Sequence, residues 1–346
     1  MKKVFFSTVF ISALSAIAMA ASVQPASERT PAKAPLRAKV TYIGTATVLI
    51  ELLDGEQTVF RILTDPALDP AREQPYRFKF GTQSIKKRGA TLPAGGMPDV
   101  DLVLLSHDEH ADNLDDRGRA YLPHAKQILT TASGARRLLN DPSLRDAQGQ
   151  SRLAGKIQGL TPWKNKPWDR VRFPLPDSAM ITVTAVPARH AEWPFPVKLG
   201  PVQVAGDAIG FVLEWPGQQK GPVYISGDTV YFSGIPEIHS RFPKIGTAFI
   251  HLGAVRFPKL DLGKLEIPNP TREVLYTFNG KQAAHALHDL QPQVVIPLHF
   301  NEDKDHPEWT HFHENLPDSE KAIIDGGTNA HDLVHLVRGQ PVEIQF

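Results

Sequence analysis

The stretch 102-LVLLSHDEHADNLDD-116 runs four apolar residues into two histidines and five acidic side chains. Its apolar run, Leu102 to Leu105, reads as a strand buried on both faces. His107, His110, Asp112 and Asn113 follow within seven residues. On a helix His107 and His110 would share a face while Asp112 pointed elsewhere, and on a strand neighbours alternate sides. Only a tight turn lets all four converge. Imidazoles and carboxylates gathered at a strand end suit a divalent metal such as zinc, which takes N and O ligands at about 2.0 to 2.2 Å. The competing reading is a charged helix start, with Asp108 or Asp112 as its cap.

Three later strands end in the same kind of residue. ITVTAVPAR leads to His190, VYISG to Asp228 and VVIPL to His299. One histidine after a strand is an ordinary hydrogen bonder, but three such endings beside the first cluster are hard to explain separately. Ligands carried on different strands and gathered at one edge make a rigid site, because each strand fixes its own side chain. Other histidines carry less. His285 and His288, three apart on an expected helix, share a face but lack a third partner and read as surface or packing residues. His306, Trp309, His311 and His313 cluster within eight residues and read either as groups at a pocket mouth, suited to an anionic ester, or as a histidine-rich helix start at the surface. His251, after an apolar strand, is expected near the edge of the site and receives no role.

Composition sets the surroundings of this cluster. The chain has 346 residues and no cysteine, so any metal must be held by His, Asp, Glu or Asn. MKKVFFSTVFISALSAIAMA places Lys2 and Lys3 before an apolar run and the small-x-small pattern Ala18-Met19-Ala20, so residues 1–20 are expected to be a secretory signal peptide. The run is shorter than the ~20 apolar residues a span requires. Losing two lysines takes the formal charge from +1 to −1, a balance that points to neither nucleic acid nor an anionic membrane. Residues 21–37 are expected to be a flexible leader, and 38–346 the working domain, periplasmic or secreted, acting on a small molecule.

Along that domain short strand signals alternate with turns and a few helices. KVTYIGTATVLIEL and TVFRILTDP, either side of Asp54-Gly55, read as a hairpin. Residues 67–97 read as a long basic loop, either a clamp for an anionic group or a solvated surface. Strands are expected at DLVLLS, QILTT, ITVTAVPARH, AIGFVLEW, VYISGD, TAFIHLG and VVIPLHF, and helices near 116–122, SGARRLLN, KQAAHALHDL and HFHENLPDSEKAI. This order suggests an α/β layered sandwich of two sheets flanked by helices.

Order and spacing together resemble the metallo-β-lactamase superfamily, whose signature is H-x-H-x-D-H followed by a distant His, an Asp at a G-D turn and a last His. YIGTATVLIEL, ILTDP and VVIPLHF are similar to the branch containing ascorbate-phosphate lactonase and the N-acyl-phosphatidylethanolamine phospholipase D enzymes. The resemblance spans residues 39 to about 345. It implies an αββα sandwich of two mixed β-sheets, with His107, His110 and His190 on a first metal, Asp228 bridging, Asp112 with His299 on a second, and Asp65 orienting a ligand imidazole from behind. The chain departs from the pattern at H-x-x-H, with Glu109 between the histidines, at Asn113 in place of the final His, and at Thr45 where the branch often carries His. An amide oxygen is a weaker zinc ligand than imidazole, so one ion or a weakly held pair is expected, with Mn or Fe as alternatives to Zn2+. Glu109 reads as solvent-facing rather than as a ligand.

The chemistry implied is hydrolysis by a metal-bound hydroxide, with Asp112 orienting the water and accepting its proton. Trp193 and Phe195, just after His190, form an aromatic wall for a lactone ring or acyl chain, or else simply pack. A lactone or carboxylic ester is the first expectation and a phosphodiester the second. A non-catalytic binding protein that kept a structural metal is the third.

Overall fold

β-Branched and aliphatic residues recur through residues 37–64, and the chain folds there into three antiparallel strands: β1 (Arg37–Gly44), β2 (Thr47–Asp54) and β3 (Gln57–Thr64). The expected first hairpin arm is therefore two strands, turned at Thr45 and Ala46, and the Asp54-Gly55 turn joins β2 to β3. The computed structural model describes residues 1, 35–77, 83–162, 168–192, 198–199, 202–203, 206–256, 274–329 and 332–346. Pro35–Phe346 forms one unit. The expected signal peptide and all but the last three residues of the leader, together with Trp193 and Phe195, lie outside the described residues, Met1 excepted.

Two short strands, β4 (Tyr76–Arg77) and β5 (Gln83–Ser84), pair within the stretch expected as a plain loop. Then come β6 (Val100–Leu104), helix α1 (Asp116–Tyr121), β7 (Ala125–Thr131), α2 (Ala132–Leu139), β8 (Ile157–Leu160), β9 (Arg170–Pro174), β10 (Met180–Pro187), β11 (Lys198–Leu199), β12 (Val202–Gln203), β13 (Ile209–Glu214) and β14 (Val223–Ile225). The chain closes with α3 (Gly234–Arg241), β15 (Thr247–His251), α4 (Gly280–Leu290), β16 (Val294–Leu298), α5 (Leu316–Asp325) and β17 (Pro341–Ile344). The last helix starts at Leu316 behind the cap Asn315, so the histidines at 311 and 313 precede it on a loop.

A seven-stranded sheet runs β17-β1-β2-β3-β6-β7-β8 and a six-stranded one β16-β15-β14-β13-β10-β9, both with parallel and antiparallel pairs. Side chains alternate across the first sheet as strand geometry requires. Val48, Ile50, Leu52, Phe60, Ile62, Leu102 and Leu104 pack in one core with Phe173, Val183, Phe211 and Ile225 of the second sheet, and the Phe60 and Phe173 rings lie 6.0 Å apart. Leu49, Leu63, Val103 and Leu105 face the other way, onto Leu122 and Leu138 of the α1–α2 layer. α3, α4 and α5 contribute Ile238, Leu287 and Ile323 to the core on the side of the second sheet. This is the four-layered α/β sandwich. Within the second sheet β10, β14, β15 and β16 all run the same way, as do β3 and β6 in the first. Their carboxyl ends carry the site.

Candidate metal centre

Each site residue follows the C-terminal end of a strand. Asp65 follows β3, the 105–115 turn follows β6, His190 follows β10 by three residues, Asp228 follows β14, His251 ends β15 and His299 follows β16. The turn after β6 closes through Asn113 and Leu114 amides donating to the His110 carbonyl at 3.2 and 2.9 Å. The cap of α1 is neither Asp108 nor Asp112 but Asp115, which accepts from the Gly118 amide at 2.9 Å. Asp112 is thus left to face the site, and Asp108 pairs with Arg137 instead.

The structure brings together six side chains from four separate segments. Ligand-type atoms of His107, His110, His190 and Asp228 all lie within 4.8 Å of one another, as do those of Asp112, Asp228 and His299. Asp228 belongs to both groups. His110 Nδ1 lies 3.1 Å from His107 Nε2 and 2.8 Å from His190 Nε2, and His299 Nε2 lies 3.2 Å from Asp112 Oδ2 and 3.7 Å from Asp228 Oδ1. All are buried except His110, which is partly exposed.

The outward ring nitrogens are already occupied. His190 Nδ1 donates to the Tyr276 carbonyl at 3.0 Å, His299 Nδ1 to the Leu252 carbonyl at 3.2 Å, and His107 Nδ1 lies 3.0 Å from Ser106 Oγ. Such a bond on one nitrogen leaves the other as a lone pair facing inward, the arrangement of a ligating imidazole. Buried His299 Nε2 faces the Asp112 and Asp228 carboxylates at 3.2 and 3.7 Å. Two buried carboxylates and converging imidazoles are the donors that a divalent cation takes. The donor set fits a divalent metal.

Electrostatics agree. Burial, reinforced by His190, holds the His110 imidazole down at about 3, and the same causes hold His107 well below its usual value. Both are therefore neutral donors. Burial alone would raise Asp112 and Asp228, but the surrounding imidazoles, His299 first among them, hold both carboxyls well below the ordinary range. Burial opposes charge on His299, yet Asp228 and Asp112 outweigh it and raise the ring to about 9. The backbone is strained at the same place: Thr45, Asp65 and His299 have φ of 50°, 30° and 59°, conformations costing roughly 1–3 kcal/mol each in non-glycine residues. The His299 amide donates to the Thr45 carbonyl at 2.7 Å, tying two of them together.

Several expectations need correction. Glu109 does not face solvent: its side chain is about 8% exposed, packs against Gly206 and lies 3.4 Å from Arg137, away from the ligand groups. Asp65 does not bond an imidazole directly; it holds Ser106, whose amide donates to Asp65 Oδ1 at 2.6 Å and whose hydroxyl lies 3.0 Å from His107 Nδ1. Asn113 turns its amide to the carboxylates, with Nδ2 donating to Asp112 Oδ1 at 3.2 Å and Asp228 Oδ2 at 3.1 Å in the orientation that suits both neighbours. Lys86 is no part of a solvated surface: fully buried, it pairs with Asp115 at 2.9 Å. His285 and His288 are exposed, as expected.

Two histidines that the sequence left without a role belong to the site. His251 Nδ1 donates to Asp228 Oδ1 at 3.0 Å and stacks on His299, and buried His311 lies with Nε2 2.9 Å from Asp112 Oδ2. Thr45, in place of the branch's histidine, bonds Glu308 at 2.5 Å. Beside His190 a cavity of about 550 Å³ opens, lined by Pro187, Ile209 and Phe232 together with the polar Ser133, Arg136 and Arg189.

Residues 60–300 match the family described as Beta-lactamase superfamily domain. The chain belongs to that superfamily. A metal-dependent hydrolase of Pelotomaculum thermopropionicum is 26% identical over 306 residues, covering 88% of this chain and 100% of the relative. One from Anaeromyxobacter dehalogenans is 25% identical over 78% of this chain and 77% of its own length. Among solved structures, a possible metal-dependent hydrolase from Veillonella parvula superposes with TM-score 0.60 at 18% identity, covering 88% of this chain and 99% of that one. The isothiocyanate hydrolase from Delia radicum gut bacteria gives 0.59 at 17%, covering 88% and 98%. These structures share the superfamily's fold, and the chain is a metallo-β-lactamase-fold hydrolase.

Proposed function

We propose that the protein is an exported metal-dependent hydrolase that opens a lactone or cleaves a carboxylic ester. The observation that carries the metal dependence is the pair of buried ligand groups sharing Asp228. His107, His110, His190 and Asp228 would hold one cation, and Asp112, Asp228 and His299 another. A divalent ion there supplies Lewis-acid polarisation of a carbonyl or phosphoryl oxygen and a lowered pKa for attacking water. Asp112, buried and held anionic, orients that water as a hydrogen-bond acceptor; its low pKa suits orientation better than storage of the proton. The buried surroundings exclude bulk water and strengthen each of these interactions. The cavity beside His190 is of a size for a small molecule and is lined by both apolar and polar side chains. Similarity of YIGTATVLIEL and VVIPLHF to the lactonase branch supports the lactone or ester, and the basic residues of 67–97 support a phosphodiester as the alternative. Lys2, Lys3, the apolar run after them and Ala18-Met19-Ala20 support export to the periplasm or medium.

The test is metal analysis of protein purified without added zinc, followed by turnover of a lactone, an aryl ester and bis-nitrophenyl phosphate with and without chelator. Bound metal and chelator-sensitive turnover of the lactone or aryl ester are expected, and Asp112→Ala should lower kcat by about 10²- to 10⁴-fold. Turnover indifferent to chelation would end the proposal. Turnover of the phosphodiester alone would replace the substrate class.

A further inference from the structure

The turn between β1 and β2 carries a buried run of polar groups that lies outside the ligand set. Its Thr45 hydroxyl donates to Glu308 Oε1 at 2.5 Å and accepts the Trp309 indole N–H at 3.2 Å. Glu308, 1% exposed, is paired through its other oxygen with Arg338, which lies just ahead of β17 and also donates to the Gly89 carbonyl at 3.2 Å. A Cβ on Gly44 would stand 2.5 Å from the Arg338 guanidinium, so the arginine lies directly against the turn. On that turn the Thr45 carbonyl accepts the His299 amide at 2.7 Å and the Tyr42 hydroxyl at 3.3 Å. Arg338, Glu308, Thr45 and His299 are therefore linked without a break, from the C-terminal arm to the metal centre.

A buried ion pair is weak evidence for stability, because apolar side chains of similar volume often serve as well. What this one holds is a conformation. Thr45 and His299 have φ of 50° and 59°, which a threonine and a histidine keep only where their surroundings over-determine them. Without the anchor at Glu308 the turn can relax, the His299 amide loses its acceptor, and the ring leaves its place 3.2 Å from Asp112. We propose that Glu308, held by Arg338, is a positioning residue for His299, acting through Thr45 to set where that ring stands among the donors to the cation. The proposal rests on the hydrolase reading only in counting His299 as such a donor.

The test is titration of metal-free full-length protein with Co(II) against a competing chelator, following affinity and the visible spectrum. His299→Ala marks the part of the binding curve that belongs to the ring. Thr45→Gly, which takes a φ of 50° at no steric cost but has no hydroxyl, should weaken that same part about 10- to 100-fold and alter the spectrum. Thr45→Ser keeps the hydroxyl and should keep wild-type affinity. A threonine needed only for the shape of the turn would give the opposite order, since glycine suits that shape better than serine. Binding unchanged in Thr45→Gly, or as weak in Thr45→Ser as in Thr45→Gly, overturns the proposal, and so does a wild-type curve from His299→Ala. Should Thr45→Gly fail to fold, the double variant Glu308→Met with Arg338→Met carries the test, because it leaves neither partner of the pair as an unpaired buried charge. A weaker His299 part is expected there, and an unchanged one overturns the proposal. Co(II) binding that follows the expected pattern beside chelator-indifferent turnover would remove the hydrolase reading and leave the positioning role standing.

Discussion

His110 and His299 sit in one cluster but respond to pH in opposite directions. With His110 held at about 3 against an ordinary 6.5, the folded metal-free protein binds fewer protons than the unfolded chain between those values. Stability therefore falls as pH drops through 6.5, by up to about 1.4 kcal/mol per pH unit from this one group. His299, raised to about 9, contributes stability that is complete below 6.5 and lost as pH rises through 9. Thermal melts of metal-free protein should show an acid limb that is flattened in His110→Gln; an acid limb identical in the two proteins would remove His110 as its source. Asp65 offers a second measurement at this scale. Its carboxylate accepts the buried Ser106 amide at 2.6 Å. Asp65→Ala leaves that N–H without its acceptor and should cost about 1–3 kcal/mol in urea unfolding, whereas Asp65→Asn, which keeps an acceptor oxygen, should cost less.

At the scale of elements, the strand ends need turns that turn sharply and stay fixed. Gly227, between β14 and Asp228, has φ of 58°, and a Cβ there would lie 2.6 Å from the Ile209 carbonyl oxygen and 2.8 Å from Ser106 Cβ. Gly227→Ala combines a left-handed backbone cost of roughly 1–2 kcal/mol with a backbone clash. It is expected to lower Tm and to reduce bound metal together, because the shift is relieved through Asp228; metal retained in full would show that the turn relaxes elsewhere. The Lys86–Asp115 pair joins the segment after β5 to the start of α1, and Asp115 also accepts from the Leu68 and Asp69 amides at 2.8 and 2.6 Å. Lys86→Met leaves a buried carboxylate without its cation, a loss of about 3–5 kcal/mol by denaturant unfolding. A cost near zero would mean that the three amides suffice.

For the whole molecule, the site draws ligands from both sheets, so a cation binds the folded chain and not the unfolded one. At free metal one hundred times its Kd, binding adds about 2.7 kcal/mol to stability. Chelation should lower Tm and readdition of metal should restore it, monitored by calorimetry; a Tm indifferent to metal would place the ion outside the fold's linkage. How far this was legible in sequence varied with range. The 107–112 turn and the strand ends at 190, 228 and 299 could be read because each is a local switch from apolar run to donor side chain. Helix α3 and strands β8, β9 and β17 gave no such switch in the sequence reading. The partners of His311 and His251 were not legible, for a different cause. They stand 199 and 23 residues away, and no local pattern marks a histidine that bonds a distant carboxylate.

The sequence by itself determined the layered α/β class, the His and Asp donor chemistry imposed by a cysteine-free chain, and the strand termini that supply it, since all of these follow from hydrophobic periodicity and residue type. Only the tertiary structure decided that Glu109 turns to Arg137, that Lys86 is buried, that Asn113 is a clamp between carboxylates and that His311 stands behind Asp112. Each of these depends on which distant side chain arrives at contact distance. Burial then decides whether a polar group is solvated or must find its partner within the fold.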